Sequence, residues 1–322
     1  MNLNREGDGK MLEEYGLKRV TLDLPFRLDH VNCFLAEGEN GWIVIDAGLH
    51  NDQTVKRWET ELYGKNVTDI IVTHYHPDHF GYAGGLQAEH NARIHMSEID
   101  YNAALNAWDQ QFLDELSHNY LLAGIPELQA EKMLNNTREF VPIVTPYPKV
   151  DHFLEDGDII TIGKYDYEVF ATPGHSDGLI TFYNRENNVL LSTDHILPKI
   201  TPNISYWFHG DPNPLARYLE SLDHIKRLDA DLVVPSHGDP FHGANDRIAE
   251  IKAHHDERLN QTLTSLGRGS SVYEVCKELF QKELTVHEMR FAVGETLAHL
   301  EYLRYEGECK RELGDGKYQY YL

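Results

Sequence analysis

Six consecutive residues, His74-Tyr75-His76-Pro77-Asp78-His79, place four metal-binding side chains within one short turn of chain. The β-branched run Asp69-Ile70-Ile71-Val72-Thr73 ahead of them reads as a buried strand. Gly81, Gly84 and Gly85 follow, ahead of a short helical stretch from Leu86 to Glu89. The six residues are therefore expected on a loop between a strand end and a helix. In extended backbone His74 and His76 point to the same side. Pro77 turns the chain, so that Asp78 and His79 approach from a second direction. That arrangement suits two neighbouring metal ions better than one.

Three more apolar runs end on a His or an Asp. Thr172-Pro173-Gly174-His175 follows 167–171, Ser192-Thr193-Asp194 follows 189–191, and Pro235-Ser236-His237-Gly238 follows 231–234. Donors at strand ends sit on rigid elements and converge on one edge of a sheet, where clefts form. A single His after a strand is usually structural. Four such ends in one chain, the densest first, argue for a site.

Together with Val44-Ile45-Asp46-Ala47-Gly48, these motifs resemble those of the metallo-β-lactamase fold superfamily of metallohydrolases, over residues 18–243. The resemblance implies an α/β fold, a four-layer αββα metallo-β-lactamase sandwich. It implies one metal on His74, His76 and His175, a second on Asp78, His79 and His237, and Asp194 bridging them. Asp46 would hold a ligand in place from behind. Asp78 would also orient the nucleophile or pass a proton to the leaving group.

The chemistry of the donors agrees. Imidazoles and carboxylates form a set suited to Zn²⁺ and acceptable to Fe or Mn. Cys33, Cys276 and Cys309 all lie outside the motifs. A catalytic zinc lowers the pKa of bound water to about 7. Two metals about 3.5–4 Å apart can share a hydroxide and clamp substrate oxygens. Attack on a carbonyl or phosphoryl centre is the expected reaction. Within the resembled superfamily, thiolate-using β-lactamases carry a Cys near the second metal and generally lack a carboxylate like Asp194. Diiron flavoproteins have Glu where His76 stands, and persulfide dioxygenases use one iron and fewer ligands. The full set resembles those of glyoxalase II-type thioesterases, lactonases, and phosphodiesterases or nucleases.

Charge narrows these classes. The 322-residue chain carries a formal charge of −23. Nucleic-acid enzymes usually show a basic footprint, and no Lys/Arg-rich block occurs here. The expectation is thus a dinuclear hydrolase of an ester, thioester or lactone, with a small acyl substrate as partner. A phosphodiesterase or endoribonuclease of the same fold is the alternative. A non-enzymatic metal-dependent sensor is the third. No 18-residue apolar run exists, so no membrane span is expected. Residues 1–14 are polar, without the apolar stretch of a signal peptide. Three scattered cysteines without a CxxC pair point to a reducing compartment, the cytoplasm. Oligomeric state is left open.

Strands are expected at 19–24, 31–35, 42–46, 69–73 and 93–96, with a helix at 51–63. Residues 98–140 switch to helical spacing, as an insertion placed to roof the site, with Pro126 in the first turn of one helix. Strands return over 151–192. The loop 201–214 is rich in Pro and aromatics and follows Asp194 closely, so Tyr206 or His209 is expected to wall the substrate pocket. His195, beside a proposed ligand, is a candidate donor to a developing oxyanion. The chain is expected to divide into a catalytic domain, 1–243, and a winged-helix-like domain, 244–322. The latter shows a helix at 247–266, with His254 and His255 as packing or surface residues. Capping boxes Ser271/Glu274 and Thr285/Glu288 start two more helices. The turn Gly314-Asp315-Gly316 then sits between strand-like runs. Its 11 Lys/Arg against 14 Asp/Glu leave a net of −3, unlike a DNA-reading module.

Overall fold

A computed structural model describes residues 12–267 and 269–322. Most of the polar stretch expected at 1–14 lies outside the described residues. Strands β1 (Leu17–Asp23), β2 (His30–Gly38), β3 (Gly41–Ile45), β4 (Val67–Ile71), β5 (Arg93–Met96) and β6 (Val150–Phe153) form one sheet in chain order. Its first three strands pair antiparallel and the rest parallel. The parallel half needs crossovers. Helix α1 (Asp52–Glu61) supplies one, and α2 (Pro77–Phe80) with α3 (Ala83–His90) supplies the next. Helices α4 (Glu98–Ala107), α5 (Gln110–Leu122) and α6 (Glu127–Arg138) fill the last and make the expected insertion helical.

The second sheet holds β7 (Ile159–Ile162), β8 (Tyr165–Ala171), β9 (Ile180–Asn184), β10 (Val189–Thr193), β11 (Leu232–Pro235) and β12 (Phe241–His242). Helix α7 (Pro214–Lys226) carries the chain from β10 to its parallel neighbour β11. Then come α8 (Ala244–Thr264), α9 (Val272–Leu279), α10 (Val286–Tyr305) and the hairpin β13 (Lys310–Gly314) and β14 (Lys317–Tyr321).

Side-chain alternation explains the layering. Ile43 and Ile45 of β3 join Val189, Leu191, Leu232 and Val234 in a core between the sheets. Val44, between the first two, faces the other way, onto Trp58 of α1 and Leu86 of α3. Leu190 and Val233 likewise face Leu215 and Leu222 of α7. Strands buried on both faces read as continuous apolar runs, and three separate cores between four layers follow. The core beside α7 continues into α8, α9 and α10 through Ile248, Ile251, Val272 and Leu297. Helix α10 packs against α6, α7, α8 and α9. Among the described residues no helix is long and apolar enough to cross a membrane.

Local differences from the sequence reading have physical causes. Strand β4 stops at Ile71, so Thr73 already belongs to the ligand loop. Gly84 and Gly85 lie inside α3 rather than ahead of it. A Cβ at Gly84 would collide with the backbone at Pro146 and stand 3.0 Å from Pro148 N, so only glycine lets this helix approach that loop. Pro126 stands at the N-cap of α6, one residue before its first turn. Both capping boxes form as read.

Candidate metal centre

The four donor-bearing strand ends meet at one edge of the sandwich. His74 Nε2 lies 3.2 Å from His76 Nδ1, which lies 2.8 Å from His175 Nε2. Asp194 Oδ2 stands 3.3 Å from His175 Nε2, 3.3 Å from His237 Nε2 and 3.6 Å from His79 Nε2. Asp78 Oδ2 is 3.6 Å from His79 Nε2 and 3.5 Å from His237 Nε2. The donors thus gather as His74, His76 and His175 on one side and Asp78, His79 and His237 on the other, with Asp194 between.

Spacing tests whether these donors fit a metal. Ligands of a tetrahedral ion with bonds of about 2.0–2.1 Å stand about 3.3–3.4 Å apart. The second group, with Asp194, matches that spacing within a few tenths of an ångström. The first group is slightly tighter. His79 Nε2, His237 Nε2 and Asp194 Oδ1 are buried and make no hydrogen bond. Buried polar atoms are normally satisfied, so these orphans fit an ion they could share.

Three of the five rings are aimed from behind. His79 Nδ1 donates to Asp46 Oδ2 at 2.8 Å, and Asp46 also accepts from Thr73 N and Oγ1 at 2.8 and 2.9 Å. His175 Nδ1 donates to Asn203 O, and His237 Nδ1 to His30 O. Each bond sets the tautomer that leaves Nε2 free, the usual outer support of metal ligands. Gly174 lets His175 reach the site: its φ is +137°, and a Cβ there would stand 2.6 Å from Tyr218 Cα. Burial pushes the His74 and His76 imidazoles well below their ordinary pKa. Burial acts on His79 and His237 too, but Asp194 and Asp78 outweigh it and hold both rings above the usual value. The carboxylates therefore favour positive charge at this spot, as protons on these rings or as a bound cation.

A buried carboxylate that the sequence reading missed ties the two ligand loops together. Asp100, on α4, accepts from Tyr75 N at 3.0 Å, Ser176 Oγ at 2.6 Å and Gly178 N at 2.7 Å. Tyr75 separates two ligands, and Ser176 adjoins a third. Burial raises its pKa to about 6 against those three bonds. The Ser97 cap three residues earlier marks a helix start in the sequence, but nothing local shows that Asp100 turns inward.

His76, Asp78, His175, Asp194 and His237 open into a cavity of about 380 Å³. The insertion contributes Trp108, Phe112 and Phe140 to its wall, and the 201–214 loop contributes Tyr206, Trp207 and His209. Tyr206 and His209 thus both line the cavity. Burial lowers the His209 pKa to about 4, so it is neutral at physiological pH. His195 does not line the cavity. It is fully buried, its ring meets Tyr218 edge-on at 5.3 Å, and burial lowers its pKa to about 3. Its place is in the packing beneath the site, away from the position an oxyanion donor needs.

Fold and donor set together define a metallohydrolase of αββα architecture. Residues 26–237 match the family model of the metallo-beta-lactamase superfamily, and the chain belongs to that superfamily as a hydrolase. Residues 259–322 match the metallo-beta-lactamase-like C-terminal domain. A metallo-beta-lactamase family protein of Thermus thermophilus superposes with a TM-score of 0.84 and 32% identity, over 95% of this chain and 98% of that one. The probable metallo-hydrolase YqjP of Bacillus subtilis is 24% identical over 89% of this chain and 92% of its own length. An acyl-coenzyme A thioesterase of Gallus gallus is 28% identical, over 52% of this chain and 57% of its own.

Proposed function

We propose that this chain hydrolyses an ester, thioester or lactone at a dinuclear centre, most simply of zinc. The observation that carries the reading is the union of two features. A seven-donor cluster stands at the end of a cavity, and that cavity is walled by aromatic side chains instead of a basic track. Bound there, divalent ions would supply an activated water and polarise the substrate oxygen. His74, His76 and His175 would hold one ion, and Asp78, His79 and His237 the other. Asp194 would contact both. Asp46 keeps the ring of His79 in its ligating tautomer. The aromatic wall would take the apolar part of the substrate and exclude water around the reacting carbonyl.

The acyl reading is favoured over a nucleic-acid substrate by the charge of −23 and by the cations at the cavity. Of the three cations lining the cavity, Arg27 and Lys282 both pair with Glu288, which leaves Arg290 alone instead of a run of free charges. A polyanion needs a run of free Lys and Arg to displace condensed counterions. The likeness to a thioesterase over half of this chain supports the same class. Residues 244–322 form three helices and a hairpin, the element order of a winged helix. We assign them a structural and wall-forming role, with the domain boundary near residue 243. The buried free thiols of Cys33, Cys276 and Cys309 support a reducing compartment, the cytoplasm.

The test is kcat/KM for small thioesters, esters and lactones against a phosphodiester and short RNA, at matched metal content and low salt. Acyl turnover well above RNA cleavage is expected. Efficient RNA cleavage with negligible acyl turnover, abolished by Asp78→Ala, would replace this reading with an endoribonuclease. Nucleic-acid binding with no turnover of any substrate would point to a sensor.

A further inference from the structure

We propose that the cavity wall holds a subsite for an anionic group of the substrate, a carboxylate or a phosphate, centred on Arg290 of α10. The proposal deepens the hydrolase reading. It rests on that reading for what is turned over, but not for whether an anion binds.

Arg290 is 9% exposed and lines the cavity. Its Nη1 donates to Asn136 Oδ1 at 3.2 Å, and its guanidinium lies 5.3 Å from the centre of the Phe140 ring. Its Nε is buried and has no hydrogen-bond partner. Among the described residues no carboxylate lies within ion-pair distance of it, although Arg27 and Lys282 on the same cavity both find Glu288. A buried cation without a counter-charge is costly. An amide oxygen and a ring face offset that cost only in part.

Three more buried nitrogens on the wall also lack a hydrogen-bond partner. Trp108 Nε1, Trp207 Nε1 and His287 Nδ1 are buried without a partner, and all three side chains line the cavity. Indole and guanidinium groups only donate hydrogen bonds. Solvent in the cavity could satisfy these donors, but it cannot neutralise the guanidinium. A ligand with acceptor oxygens and negative charge does both, and Arg is the side chain best shaped for carboxylate or phosphate.

The wall also gives the ligand a direction. Trp207 lies 5.7 Å from the His76 ring and 5.7 Å from Phe291, which meets His287 at 4.9 Å. His287 stacks on Phe140 at 5.7 Å, and Phe140 on Trp108 at 6.1 Å. The aromatic run therefore starts beside a metal ligand and reaches Phe140, where Arg290 sits. The substrate this geometry fits has its scissile carbonyl at the metal centre, an apolar spacer along the aromatic rings, and an anionic end at Arg290.

The test measures binding before turnover. The metal-loaded full chain is titrated calorimetrically with straight-chain α,ω-dicarboxylates of increasing length and with the monocarboxylate of each length. One carboxylate can take the product position at the metals in either case, so only the second reports on Arg290. At the best length the dicarboxylate is expected to bind at least about 10-fold tighter, the scale of a hydrogen bond to a charged group. Arg290→Gln should erase that preference and Arg290→Lys retain part of it. Asn136→Asp, which places a carboxylate against the guanidinium within the protein, should weaken the preference without removing Arg290. Metal content and thermal unfolding of each variant separate loss of the subsite from loss of the fold. Equal binding of the two series at every length in the unaltered protein overturns the proposal, as does an undiminished preference in a folded Arg290→Gln protein.

Turnover then assigns the source of the charge. Thioesters of a dicarboxylic acid with N-acetylcysteamine carry it on the acyl group. Thioesters of a monocarboxylic acid with 3-mercaptopropionate or coenzyme A carry it on the thiol. Whichever arm gains, the gain should appear in KM and vanish in Arg290→Gln. A clear dicarboxylate preference with no turnover in either arm supports the subsite while removing the thioester reading.

Discussion

The part of the cavity floor beside Asp78 and Asp194 and the helices that roof and flank the cavity both bury histidines, with opposite electrostatic outcomes. In the floor, Asp194 and Asp78 outweigh desolvation and hold His79 and His237 above their ordinary pKa. At His255, His287 and His299 no carboxylate among the described residues outweighs burial. Burial lowers His287 and His299 to about 4, and His255 falls as well. His255 and His299 meet at 3.2 Å deep in the C-terminal helices, as packing residues with a shared hydrogen bond. The difference teaches that a buried imidazole alone is only a neutral, polar core residue. His79 and His237 favour positive charge because acids surround them and a second bond fixes their tautomer.

Asp194→Ala breaks the comparison at its centre. Removing the oxygen set among His79, His175 and His237 should lower metal content on both sides and reduce kcat/KM by about 100- to 1000-fold, the scale of losing one preorganised electrostatic group. Elemental analysis beside the rate measurement checks it. Two ions held at full occupancy in the variant would remove Asp194 from its bridging place.

Asp46→Asn asks how much of the floor depends on support from behind. The side chain keeps its shape but offers one acceptor where Asp46 serves Thr73 and His79. Metal affinity should fall about 10- to 100-fold, read from competition with a chelator. An unchanged affinity would mean that His79 orients itself.

The double change His255→Gln/His299→Gln sharpens the other half. His299 titrates at about 4 in the fold against an ordinary 6.5. As pH falls, the unfolded chain takes up that proton first, so stability is full above about pH 6.5 and lost as pH drops toward 4. For His299 this amounts to about 2 kcal/mol between about pH 7 and pH 5. Urea unfolding at the two pH values should show a smaller acid loss in the double variant. The acid sensitivity of the metal site is common to both proteins and subtracts out. An equal loss in both would show that these two rings are not buried as neutral groups.

Phe291→Ala probes the wall without touching the floor. The expected loss is about 10-fold in kcat/KM for substrates with a bulky apolar acyl group, the scale of one aromatic contact, with metal content unchanged. Smaller substrates should lose less. A fall in bound metal would mean that wall and floor are one structural unit.

Sequence reading reached the floor because its donors cluster in the chain. Four of seven lie between His74 and His79, and the other three each end an apolar run. The alternation Ile43-Val44-Ile45 and the continuous runs at 189–191 and 232–234 likewise reveal strands buried on both faces. Capping boxes at Ser271 and Thr285 mark helix starts by local hydrogen bonding alone. The wall was only partly legible. Tyr206 and His209 stand out in an aromatic loop, but nothing near Arg290 distinguishes it from an exposed arginine on a helix. Asp100 looks like one more acid in the first turn of a helix. His195 looked functional from its neighbour in the chain, yet the turn after β10 points the ring into packing against Tyr218.

The amino-acid sequence by itself determined the donor set, the strand ends that carry it and the class of chemistry. Those are properties of short segments, set by backbone periodicity and ligand type. Apart from Asp46, tertiary structure alone decided which groups stand behind the ligands, where the cavity runs and which cation is left unpaired. Asp100 meets Ser176 across 76 positions, and Arg290 meets Asn136 across 154. Burial, pKa and hydrogen-bond satisfaction depend on what surrounds a side chain in space, and packing of α10 over the cavity brings those surroundings together.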